Sequence, residues 1–102
     1  MKHRLDIRPE AEADIRNAAR WYESERAGLG ADFVEAVYMA IDSLADNALL
    51  HPIKFRHRHR QVRWMFPKRF PYRILYYLEG DAAISFAVFH AKRHDAAWKQ
   101  RL

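Results

Sequence analysis

The chain has 102 residues, half of them apolar, no cysteine, and a formal charge of +5. That length fits one domain, which can bury roughly two thirds of the surface its unfolded chain exposes without a disulfide or structural metal. The lack of cysteine excludes thiolate metal sites and cysteine nucleophiles, and no apolar stretch approaches the roughly 20 residues of a membrane span. The reading is a soluble, cytoplasmic, single domain over 1–102.

The first element, HRLDIR, alternates Leu5 and Ile7 with polar residues, which is a short strand signal. Pro9 then opens a helix, where its missing N–H costs nothing, and Glu10, Glu12 and Asp14 suit the positive end. Ala11, Ile15, Ala18, Ala19 and Tyr22 recur at helical spacing. Gly28 is a C-terminal stop, and Gly28-Leu29-Gly30 turns the chain into a second, antiparallel helix. That helix presents Phe33, Val37, Ala40, Ile41 and Leu44 and ends near Asn47.

The second half is β-like. Val62–Phe66, Tyr72–Leu78 and Ala82–Phe89 are separated by PKRFP and by Glu79-Gly80-Asp81. Pairing Phe66 with Tyr72 and Leu78 with Ala82 places Val62, Trp64, Phe66, Tyr72, Ile74, Tyr76, Leu78, Ile84, Phe86 and Val88 on one face, to meet the helices. Arg63, Met65, Arg73, Leu75, Tyr77, Ser85, Ala87 and Phe89 then form a mixed, open, cation-lined opposite face. The tail HDAAWKQRL is read as a last helical turn. The fold class is α+β: an N-terminal strand, then an antiparallel helix hairpin packed on one face of a mainly antiparallel sheet, completed by a C-terminal three-stranded meander.

The charge is concentrated. Between Asp46 and Glu79 there is no acid, yet Lys54, Arg56, Arg58, Arg60, Arg63, Lys68, Arg69 and Arg73 fall there, with His51, His57 and His59. Outside that interval the chain carries ten Lys and Arg against thirteen Asp and Glu. One segment makes the protein basic, so its partner is expected to be anionic, a nucleic acid or an acidic protein. Four alternate cations, Lys54, Arg56, Arg58 and Arg60, cannot continue a buried strand face unpaired, so the strand is read to begin near Gln61 and Leu49–Arg60 as an exposed loop or a segment beyond a bulge. His57-Arg58-His59 lacks the further ligands zinc needs, and its arginines repel a dication, so no metal is expected. The guanidinium groups suit phosphate or carboxylate, and Phe55 can stack on a base; a solvated loop kept basic for solubility is the plain alternative.

His90 and Arg93 follow the last strand. They suit a general acid or base and a cation that stabilises a phosphate transition state, or equally a histidine that fixes the strand end by hydrogen bonds, with Arg93 held by a helix end or by Asp95. Arg63 and Arg73, on adjacent strands, suit a clamp on a phosphate or on a partner's carboxylates. Trp21, Tyr72 and Tyr76 read as packing residues.

The ordered set WYESERAGLGADFVEAV, RFPYRILYYLEGD and AVFHAKRHDAAWKQR resembles the RelE/ParE toxin superfamily, on its ParE side, from about Leu5 to Arg101. The resemblance implies a type II toxin–antitoxin pair, in which a small antitoxin with an acidic or amphipathic C-terminal segment wraps the toxin in a hetero-oligomer. No cofactor and no membrane are implied. ParE-like members poison DNA gyrase; RelE-like members cut mRNA on the ribosome without a metal, through basic residues that promote 2′-OH attack. By position, Arg63, Arg73, His90 and Arg93 are the catalytic candidates if the chain is a ribonuclease. Lys54, Arg56, Arg58 and Arg60, with Arg63 and Arg73, are the antitoxin-binding or anion-binding candidates. The chain departs from the RelE pattern at its C-terminus, where His94 and Trp98 stand and no tyrosine is found.

Overall fold

A computed structural model describes residues 2–102. The elements run β1 (Arg4–Ile7), α1 (Pro9–Glu25), α2 (Leu29–Asn47), β2 (Ile53–His57), β3 (Arg60–Met65), β4 (Tyr72–Glu79), β5 (Ala82–His90) and α3 (Ala96–Lys99). One five-stranded sheet has the order β1-β5-β4-β3-β2; β1 is parallel to β5 and every other pair is antiparallel. The expected α+β architecture stands. The stretch read as a loop is a correction: Ile53–His57 forms β2, so the meander has four strands. A strand whose outer side is solvated can hold exposed cations at alternate positions, and Lys54 and Arg56 are exposed while Ile53, Phe55 and His57 are half-buried.

The helix hairpin forms for the reasons legible in its residues. Pro9 sits in the first turn with Glu10 and Glu12. Gly28 takes φ 88°, a left-handed conformation that costs other residues roughly 1–2 kcal/mol. The Glu23 carboxylate accepts the backbone N–H groups of Gly28 and Gly30, which holds its pKa below the ordinary carboxylate value and caps the start of α2. Gly30 is buried against α1, where an added Cβ would lie 2.6 Å from the Ala19 carbonyl oxygen.

Two apolar cores flank the sheet. On the helix side, Ile15, Phe33, Val37, Ile41 and Leu44 pack on Met65, Ile74, Tyr76 and Val88. Tyr22 and Phe33 meet Phe70 and Tyr72 at ring separations of 5.0–5.9 Å. Tyr76 donates its hydroxyl to the Ala48 carbonyl at 2.6 Å, and burial pushes its pKa up to about 12. On the other side, Val62, Leu75, Tyr77, Ile84, Phe86 and Phe89 close around Trp98 of α3, so that face is a second core and not an open surface.

Two register facts produce this. Met65 pairs with Ile74 and Arg63 with Tyr76, one residue away from the expected pairing, so Arg63 and Met65 face the helices and Val62 and Trp64 face away. In β5 the partner of Tyr76 is Ser85 while that of Leu75 is Ala87. Phe86 is therefore the extra residue of a bulge, which puts Ile84 and Phe86 on the Trp98 side and Val88 on the helix side.

Candidate functional site

The register separates the two arginines expected to form a clamp. Arg63, on the helix side, donates Nη1 to the carbonyls of His51 (2.6 Å) and Leu49 (3.3 Å) and so ties down the α2–β2 connection. Arg73 lies on the other face and is buried. Its guanidinium stacks over Trp64 at 4.9 Å, and Nη2 reaches Asp95 Oδ1 at 3.1 Å and the Arg93 carbonyl at 3.2 Å. Both side chains are committed to the fold.

His90 and Arg93 do come together. His90 ends β5 opposite Tyr72, with ring centroids 5.3 Å apart, and its Nδ1 accepts the Lys92 N–H. Arg93 is exposed, with its guanidinium 4.1 Å from the Phe89 ring centroid. With Tyr72, Asn17, Trp21 and Asp14 they line a cavity of about 250 Å³. Sequence reasoning missed the pairing of Asp14 with Arg101, and it offered Asp95 to Arg93 where the structure gives it to Arg73. Asp14 accepts two bonds from Arg101 (2.7 and 3.1 Å) and the Val88 N–H (3.0 Å), while Arg101 also donates to the Phe86 carbonyl at the bulge. The available signal was Asp14 itself, an acid among Ala11, Ile15 and Ala18 on a buried helical stripe, where a charge requires a partner.

The basic hairpin divides by environment. Arg58 stands at the β2–β3 turn with φ 56°, in the left-handed region. Arg60 lies over Tyr77 at 4.4 Å and lines a polar cavity with Asp6, Glu10 and Glu79. Among the described residues, Lys54, Arg56 and Arg58 take part in no ion pair; the paired arginines are Arg4, Arg69, Arg73 and Arg101. No group of three or more His, Asp or Glu side chains among the described residues is placed to hold a metal.

A second concave surface runs along α2. Ala36, Met39, Ala40 and Ser43 face His51, Met65 and Phe66 across about 430 Å³, and the Asp32–Arg69 ion pair (3.6 Å) closes one end. Met39 and Phe66 are 63% and 54% exposed there. Burial, aided by the Arg63 charge, holds the pKa of His51 below its ordinary value, so this groove carries a neutral imidazole at neutral pH.

A sequence profile of the ParE toxins of type II toxin–antitoxin systems, parDE, matches residues 5–95. The chain belongs to the ParE toxin family. The match runs from Leu5, within β1, through the other four strands and both long helices of this ParE-family chain and ends at Asp95, the partner of Arg73. Trp98 and Arg101 lie beyond it. Among solved structures, the ParE-family chain is similar to one from the chromosomal ParDE toxin–antitoxin system of P. aeruginosa. The TM-score is 0.75 over 87% of this chain and 96% of that one, at 14% identity, a likeness of fold. No curated protein sequence matches the chain significantly.

Proposed function

We propose that this ParE-family toxin is neutralised by a cognate antitoxin with an acidic or amphipathic segment and arrests growth by binding DNA gyrase, without a chemical step of its own. The observation that carries the reading is the dispersal of its cations. Cleavage by 2′-OH attack needs a base, an acid and a charge-stabilising cation within reach of one phosphodiester. Of the four candidates, Arg63 and Arg73 are on opposite faces and bonded to the protein's own carbonyls and carboxylate. Only His90 and Arg93 share a cavity. Family membership supports gyrase as the target, and the two-component system of the P. aeruginosa neighbour supports an antitoxin as the resting partner. Gyrase as target implies the cytoplasm as the place of action. The test is DNA supercoiling by purified gyrase with added toxin. Inhibition, relieved by the antitoxin, is expected; unchanged supercoiling and cleavage-complex levels would refute the reading.

The His90–Arg93–Tyr72 cavity favours one alternative, a ribosome-dependent, metal-independent mRNA endoribonuclease. Primer extension on mRNA from induced cells distinguishes the two. Codon-linked cuts that vanish in His90→Ala would establish the alternative, and their absence is expected.

A further inference from the structure

The outer edge of β2 has features the toxin reading does not use. Among the described residues its one neighbour in the sheet is β3. The connecting turn is the two residues Arg58 and His59, so His57 and Arg60 form the hydrogen-bonded closing pair. Alternation along an antiparallel pair then leaves Arg56, opposite Gln61, with its own N–H and C=O directed away from the sheet. An unpaired strand edge is a template for another strand. Three cations guard this one: Lys54 and Arg56 flank half-buried Phe55, and Arg58 stands at the tip, all without an intramolecular carboxylate. Arg58 holds its place at φ 56°, where a turn ordinarily favours glycine.

We infer that the β2 edge takes an acidic, extended peptide segment of the antitoxin as a sixth strand. The segment's backbone pairs with Arg56, past the bulge between Ile53 and Phe55, and its carboxylates at alternate positions meet Lys54 and Arg56. Charge selects this occupant. A second copy of the chain would set like charges opposite one another across the new pair, which disfavours self-association, whereas carboxylates there are attractive. Single-stranded RNA fits less well, because the aromatic groups are taken. Lys99 Nζ sits 4.4 Å from the Phe55 ring centroid, Trp98 packs edge-on at 5.5 Å, and His57 is stacked alongside at 6.2 Å, leaving Phe55 no open face for a base. The inference takes the donor's identity from the toxin–antitoxin reading; the edge itself owes nothing to gyrase.

The probe is a blocked decapeptide alternating Glu with Val, added to the full-length, isotopically labelled toxin while amide exchange is followed by NMR. Binding is expected to slow exchange of the Arg56 amide at least about tenfold, since a contact made by side chains alone leaves that N–H open. The peptide with Gln for Glu should bind about tenfold more weakly, and Lys54→Ala and Arg56→Ala should each raise Kd about two- to fivefold. Backbone N-methylation of the peptide should abolish binding. Absence of binding, binding that leaves the Arg56 amide unprotected, or displacement of the peptide by a single-stranded uridine decamer would each overturn the inference. Neither gyrase nor an antitoxin enters the measurement, so a toxin inert toward gyrase leaves this result standing, and the reverse holds too.

Discussion

Arg73 carries a permanent charge into the second core, and its surroundings account for that. The side chain is 8% exposed, one face rests on Trp64, and its Nη2 is shared between Asp95 and the Arg93 carbonyl. Removing it opens a void beneath Trp64 and unties the Arg93–Asp95 segment, so Arg73→Ala should destabilise the fold by about 2–4 kcal/mol in urea denaturation. Lysine keeps the charge without the planar stacking and should recover less than half of the loss. Asp95 titrates accordingly. Burial alone pushes its pKa up, but hydrogen bonds from Arg73 and Trp98, with the charges of Arg73 and Lys99, outweigh that and hold it below the ordinary value. A carboxyl lowered on folding stabilises above its unfolded pKa of about 3.9, and the contribution disappears as pH falls through the lower folded value. Stability measured from pH 7 down to 2 should therefore lose this contribution below about pH 4 in the wild type, and Asp95→Asn should remove that acid-dependent part.

At the level of elements, the helix hairpin depends on one close approach. Gly30→Ala would drive a methyl group to 2.6 Å from the Ala19 carbonyl oxygen, so the helices must part. A loss of about 1–3 kcal/mol is expected, read from the shift of the urea midpoint, although alanine is the better helix former. The hairpin was legible in the sequence because Pro9, Gly28 and the apolar spacing of Ile15, Phe33, Val37 and Ile41 all depend on neighbouring residues. The sheet faces were legible only for β4 and the end of β5. Strand parity is set by turns and bulges: the Phe66–Pro71 connection, with Arg69 at φ 77°, shifts β3 by one residue, and the extra Phe86 inverts the first part of β5. Nothing in the alternation of a single strand records either event. The same slip hid the division of Arg63 from Arg73, and with it the layout of the candidate site. Only the adjacency of His90 and Arg93, three residues apart after a strand, was open to reading.

Across the whole molecule, Arg101 joins the two ends of the fold. Its guanidinium holds Asp14 of α1 at 2.7 Å and the Phe86 carbonyl at 3.0 Å, and Asp14 in turn takes the Val88 N–H. The segment that seals Trp98 into the second core is thereby anchored to the first helix. Arg101→Ala leaves the Asp14 carboxylate, 11% exposed, short of its cation, and a loss of about 2–4 kcal/mol is expected. Near-UV circular dichroism should report loosened packing around Trp98 in the same variant. Lys54, Arg56 and Arg58, none of them bound to the protein's own acids among the described residues, gather at one sheet edge, and none of them lines the His90–Arg93 cavity. On the reading proposed above, the protein is held by its antitoxin and holds gyrase. A binder differs from a catalyst in stoichiometry. The most direct measurement is therefore a titration of gyrase supercoiling against the toxin-to-gyrase ratio, with wild-type toxin and His90→Ala in parallel. Both proteins should inhibit in a saturating, ratio-dependent manner without cutting RNA. A gyrase unaffected at every ratio, beside ribosome-linked mRNA cleavage that His90→Ala abolishes, would contradict the account.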